Sequence, residues 1–162
     1  MLYANADQRV LGYFGRALSL EFSAVQLYST QARLVASWGL NDVAGKFEAE
    51  AKEELGHADR IIGRMLALGV APGLSQLRPV KLGQQLLDLL EHDLAFENEL
   101  VSLYGDAVHY CSRLGDNDNR LFFEALLGEE QEHARHLREW ITEVKQSSAD
   151  SAQASSLQRG RS

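Results

Sequence analysis

The sequence predicts an all-α protein, a four-helix bundle with a long crossover between its second and third helices. Three observations predict it. Apolar residues recur at every third or fourth position over four long stretches, the spacing of helix faces packed on one another. The chain holds only two prolines, Pro72 and Pro79, and both fall in one segment. Long stretches are rich in Leu, Ala, Glu and Gln, which are mostly strong helix formers.

The first helix runs from about Asp7 to Ser37 and ends near Gly39. Asn41 or Asp42 caps the second, which runs to about Leu68 and stops at Gly69. Val70 to Leu82 carries both prolines and Gly73, so it reads as a long connection and not a tight turn. The third helix covers about Gly83 to Arg113. The run Gly115-Asp116-Asn117-Asp118-Asn119 is a turn and cap, and the fourth helix follows to about Lys145. Two short connections and one long one make two helical hairpins joined by a crossover. Residues 1–145 are thus expected to form the bundle. Over 146–162 the composition turns to Ser, Ala and Gln, with Arg159 and Arg161, and this polar tail reads as solvated. A short fifth helix over Ala152 to Gln158 is only weakly signalled.

Composition narrows the function classes. The 162 residues suffice for one well-cored domain and are too few for two typical ones. A formal net charge of −7 argues against a nucleic-acid partner and for attraction of cations. The single Cys111 excludes an intramolecular disulfide and a Cys-rich metal centre, and it reads as a small core residue. No basic segment followed by an apolar run opens the chain, and no apolar run approaches a membrane span. The expected setting is a reducing cytoplasm, without membrane. No Gly-rich phosphate loop, nucleophile elbow or Cys-x-x-Cys occurs, so hydrolytic and thiol chemistry have little support.

One set of residues carries chemistry, and it occurs twice. Glu21, Glu54 and His57 recur as Glu97, Glu130 and His133, each 76 positions later. The same shift relates Tyr28 to Tyr104, Phe47 to Phe123 and Glu53 to Glu129. Helical periodicity turns these acids inward. The seam Leu11, Phe14, Leu18, Glu21, Val25, Tyr28, Ala32, Val35 is otherwise almost wholly apolar, as is Leu87, Leu90, Leu94, Glu97, Val101, Tyr104, Val108, Cys111. An unpaired carboxylate buried in such a seam is very costly, so it requires a partner. Glu and His three apart share one helix face and can reach one metal. Two carboxylates and one imidazole from each half suit a pair of oxygen-loving ions, iron or manganese first. Surface acids with stray histidines would explain one Glu-x-x-His but not two with two seam carboxylates. Glu53 and Glu129 also lie within reach of the histidines, and periodicity only favours Glu54 and Glu130 over them. His92, His109 and His136 lack a repeating acid at chelating spacing and read as surface or interface residues, His136 also as a group beside the site. Trp38 and Trp140 read as packing residues near helix ends.

Four stretches, EFSAVQLYSTQARLVASWGL, EELGHADRIIGRMLALGVAPGL, DLAFE and EEQEHARHLREW, resemble bacterioferritin. The likeness covers roughly residues 3 to 143. It implies a ferritin-like bundle, in which two helices each give one Glu and the other two each give Glu-x-x-His. By that resemblance Glu21, Glu54 and His57 bind one iron and Glu97, Glu130 and His133 the other, with Glu54 and Glu130 bridging. Tyr28 matches a tyrosine beside the centre, an electron donor or a hydrogen-bond partner, whereas Tyr104 reads as packing. Glu50, one turn before Glu54, guides Fe(II) inward, stands as an acid beside the site, or is equally a solvated end of the seam. The implied activity is a ferroxidase and iron-storage subunit that holds two Fe ions and uses O2 or H2O2. The implied assembly is a homo-oligomer, a 24-subunit cage.

This chain departs from the family at three places. Haem-binding members carry Met directly after the bridging Glu of the second helix, and here that residue is Leu55. A homo-oligomer is therefore expected to lack haem, and co-assembly with a haem-bearing subunit is an alternative. Ala49 replaces a His facing the cage interior, and the tail shows no clear fifth helix. A di-iron or di-manganese redox enzyme without storage, a peroxidase or catalase of rubrerythrin type, is the competing expectation.

Overall fold

A computed structural model describes residues 6–159. It contains α1 (Gln8–Ser37), α2 (Asn41–Ala67), α3 (Leu86–Leu114) and α4 (Asn117–Arg159), and no strand occurs among the described residues. The packing is that of two hairpins, α1 with α2 and α3 with α4, joined more sparingly through α1 and α3.

Local chemistry sets the helix ends. The Asp7 carboxylate accepts from the backbone N–H groups of Arg9 and Val10 at 2.9 and 3.1 Å and starts α1. Gly39 closes α1 at φ 81°, the left-handed conformation that glycine adopts without penalty. The Leu40 N–H donates to the Val35 carbonyl at 3.0 Å, and Leu40 then accepts from Ala44 at 2.9 Å. The turn is so tight that Leu40, with no side-chain bond, is the N-cap of α2. Neither Asn41 nor Asp42 caps it, contrary to expectation. Both already lie inside the first turn, where Asp42 still faces the positive end of the helix dipole.

α3 begins at Leu86 and not at Gly83, because Gln85 and Asp88 form a reciprocal capping box. α4 departs furthest from expectation, running through Lys145 to Arg159 without a separate fifth helix. No Gly or Pro falls between Gly128 and Gly160 to stop it. Ser147, Ser148, Ser151 and Ser155 each turn their hydroxyl back onto the carbonyl four residues earlier. Arg161 lies outside the described residues.

The crossover is laid along the bundle by side chains. Ser19 and Ser23 accept from the backbone N–H groups of Gln76 and Arg78 at 3.1 and 2.9 Å. Arg78 continues to Glu99 of α3 at 2.8 Å. Two apolar clusters fill the bundle. One gathers Phe14, Leu18, Ile61, Leu100, Tyr104, Cys111, Phe123 and Leu126, and the other Tyr28, Val35, Phe47, Leu89, Leu90, Leu137 and Ile141. Between them lies a layer of buried charged residues.

Candidate metal centre

Each helix delivers its share of that layer. α1 brings Glu21, α2 Glu54 and His57, α3 Glu97, and α4 Glu130 and His133. The four carboxylates are 0 % exposed and the imidazoles 4 % and 8 %. Within the layer two groups of ligand atoms form, each within 4.8 Å: Glu21, Glu54, His57, Glu130, and Glu54, Glu97, Glu130, His133; a third, less buried group joins Glu50 and Glu53 to His133. Glu54 and Glu130 belong to both groups, which is the placement of residues able to bridge two ions. His57 Nδ1 stands 2.8 Å from Glu130, 3.1 Å from Glu54 and 3.6 Å from Glu21. His133 Nδ1 stands 3.2 Å from Glu54 and 3.3 Å from Glu130. The two rings are 5.8 Å apart and nearly parallel.

Groups around the layer orient it. The Tyr28 hydroxyl donates to Glu97 at 2.5 Å, and the Tyr104 hydroxyl donates to Glu21. Tyr104 is thus more than the packing residue expected, because the pseudo-twofold relation gives it the same bond as Tyr28. Glu129 lies 2.8 Å from His57 Nε2, and Glu53 lies 2.8 Å from His133 Nε2. A carboxylate on the outer nitrogen turns Nδ1 towards the centre, a common way of aiming an imidazole at a metal. Glu53 and Glu129, at 60 % and 44 % exposure, therefore stand behind the histidines, whereas Glu54 and Glu130 stand between them. Arg60 donates to both oxygens of Glu129. On the His133 side a cavity of about 670 Å³ is lined by Glu50, Glu53, Glu124, Glu129, Glu132 and His133. His136 sits at its rim with Glu132 at 3.3 Å. Trp140 packs 5.7 Å from Phe47, as a packing residue should.

The electrostatics state what the layer needs. Burial, reinforced by neighbouring carboxylates, holds Glu21 and Glu97 well above the usual carboxylate range. Burial also works against charge on Glu54 and Glu130, but the bonds from His133 and His57 outweigh it and lower both. Burial disfavours the charged imidazoles too, yet Glu130 and Glu54 push His133 up to about 12, and Glu130, Glu21 and Glu54 raise His57 strongly. Without metal the layer therefore favours protons on the imidazoles and on Glu21 and Glu97, and charge on Glu54 and Glu130. Glu21 Oε2 and Glu97 Oε2 are buried without a hydrogen-bond partner, while Glu54 Oε1, both oxygens of Glu130 and His133 Nδ1 have only the imidazole–carboxylate ion-pair contacts. Two divalent cations would neutralise four carboxylates and occupy those atoms, so the donor set fits them.

A four-helix bundle with two Glu-x-x-His pairs and two further glutamates facing one buried layer has the architecture of a di-metal carboxylate protein. The comparisons narrow the class. The family model for the ferritin-like domain matches residues 13–147. Bacterioferritin of Rhodobacter capsulatus is 38 % identical over 138 residues, which cover 85 % of this chain and 86 % of that protein. Bacterioferritin of Brucella melitensis is 33 % identical over 80 % of each chain. A solved structure of the Rhodobacter capsulatus protein superposes with a TM-score of 0.83 at 36 % identity, covering 87 % of this chain and 88 % of that one. That structure is described as having a metal-free dinuclear site and a haem iron on a crystallographic special position. The chain belongs to the bacterioferritins, within the ferritin-like family. No described helix is long and apolar enough to cross a membrane.

Proposed function

We propose that this chain is a ferroxidase and iron-storage subunit that takes two Fe(II) ions as substrate. The observation carrying the reading is the pair of buried ligand groups that share Glu54 and Glu130. Glu21 and His57 hold one ion, Glu97 and His133 the other, and the shared carboxylates lie between, with manganese as the alternative metal. Oxidation to Fe(III) passes two electrons to O2 or H2O2. The carboxylates favour that change, because the harder Fe(III) gains more from anionic oxygen. Tyr28 and Tyr104 fix Glu97 and Glu21, and Glu129 and Glu53 hold the imidazoles with Nδ1 inward. The acidic cavity beside His133 attracts cations towards the layer.

In the same reading residues 1–145 are the working bundle and 146–162 an appendage. The subunits form a homo-oligomeric cage of 24 in the cytoplasm, binding neither nucleic acid nor membrane. Leu55, 51 % exposed on α2, offers no thioether, so such a cage binds no haem unless a haem-bearing subunit joins it. The test is aerobic Fe(II) loading, with iron retained per chain counted after desalting. Retention far above two per chain is expected. Saturation near two would move the function to redox catalysis without storage, and retention near zero would overturn the site.

A further inference from the structure

Outside the metal layer, one buried polar pair has no role in what has been described. Gln31 of α1 and Asp93 of α3 are both 0 % exposed, and the Gln31 amide Nε2–H donates to Asp93 Oδ1 at 2.7 Å. The other two ends of the pair, Gln31 Oε1 and Asp93 Oδ2, are buried without a partner. Both are acceptors while Asp93 is ionised, so they cannot bond one another. One proton on Asp93 makes Oδ2 a donor and lets both orphans be satisfied, as in a carboxylic acid facing an amide. Burial pushes the Asp93 carboxyl up to about 8, opposed by the Gln31 bond and reinforced by the Glu50 carboxylate.

The pair sits where it bears on the metal centre. Gln31 lies three residues after Tyr28, and Asp93 four before Glu97, so it stands about one turn along from the Tyr28–Glu97 bond. Both bonds cross between the hairpins, and each hairpin carries half of the ligand set. Hairpin spacing therefore sets how the halves meet. The 76-residue shift places Ala17 and Ala107 at the related positions beside the Glu21–Tyr104 bond, both 0 % exposed. Two alanines suffice for packing there, so packing alone does not call for an acid and an amide at the other position.

We propose that Asp93 is uncharged in the folded protein and closes a two-bond clasp with Gln31, a positioning pair that holds Tyr28 and Glu97 in register on one side of the metal centre. The positioning role rests on the di-metal reading above. The test combines infrared spectra at neutral pH with Co(II) titration of the purified protein followed by visible absorption. The wild type should show a neutral carboxylic-acid carbonyl band that disappears in Asp93→Asn. Asn can make the same two bonds, so Asp93→Asn should bind Co(II) like the wild type. Asp93→Ala and, separately, Gln31→Ala should weaken one of two Co(II) steps about tenfold, as loss of a group orienting a ligand does, and spare the other. A difference spectrum without that band overturns the clasp. Unchanged Co(II) binding in folded Gln31→Ala, or equal damage from Asp93→Asn and Asp93→Ala, overturns the positioning role. A wild type that takes up no Co(II) overturns the di-metal reading and the positioning role with it, while the infrared band separately decides the clasp.

Discussion

The two hairpins carry the same candidate ligand set in different surroundings. On the α1–α2 side, Glu54 and His57 are backed by Arg60, which clamps Glu129. The related position on α4 is His136, which turns away to Glu132 and leaves Glu53 at 60 % exposure. The Glu97 end has the Gln31–Asp93 pair, and the Glu21 end has two alanines. Ligand identity is constrained by charge and geometry, so it repeats. The residues behind the ligands need only hold them, so the two halves solve that problem separately.

The largest test of the comparison is at the shared positions. Glu130→Ala or Glu54→Ala should abolish uptake of both metals and slow Fe(II) oxidation by more than about a hundredfold, beyond the loss from outer groups. Glu21→Ala and Glu97→Ala should each remove one metal. Equal loss of both metals in all four variants, measured by Co(II) titration, would break the division into shared and private ligands.

Proton release comes next. Burial and neighbouring carboxylates raise Glu21 and Glu97, and the carboxylates around them raise His57 and His133, so protons compete with metal at all four. Metal must displace them, so affinity rises with pH and falls as protons compete. Loading two Zn(II) per chain in weak buffer with an indicator dye should release about four protons, and release of two or fewer would mean that Glu21 and Glu97 are already ionised.

The tyrosines sharpen the symmetry. Tyr28→Phe and Tyr104→Phe each remove a buried hydroxyl from a carboxyl group, and each should cost about 1–3 kcal/mol in denaturant unfolding of the metal-free protein. Equal losses mark a common bracing role. Slower Fe(II) oxidation in Tyr28→Phe alone would make Tyr28 an electron donor. The smallest effect belongs to Arg60→Gln, which removes a half-exposed ion pair and should change stability by less than about 1 kcal/mol in thermal unfolding.

Much of this was legible in the sequence, because the strongest signals are local. Glu and His three apart share a helix face whatever surrounds them, and an acid in an apolar seam implies burial. The repeat then linked four helices without a contact map. Contacts across the bundle were another matter. Glu53 and Glu54 differ by one position, and their roles separate only when α4 is seen to place His133 against both. Gln31 and Asp93 lie 62 residues apart and fall outside the seams, though Asp93 four before Glu97 was a visible hint. Tyr104 was marked by the repeat itself, but its bond to Glu21 depends on how the hairpins meet. The α4 end differs from expectation because serine-rich composition signals exposure, which residues 146–153 have, and says little about whether an exposed helix continues.

The short turns at Gly39 and Gly115 also bear on how the chain reaches this state. Each lets its hairpin assemble from contacts close in sequence, the kind that form fast. Joining the hairpins is different, for that step drives acids from both sides into one dry layer. Metal-free chains should hesitate there, with two formed halves held apart by their own charge and proton demand. Divalent ions in the refolding buffer would then speed the last step of assembly and leave the first unaltered.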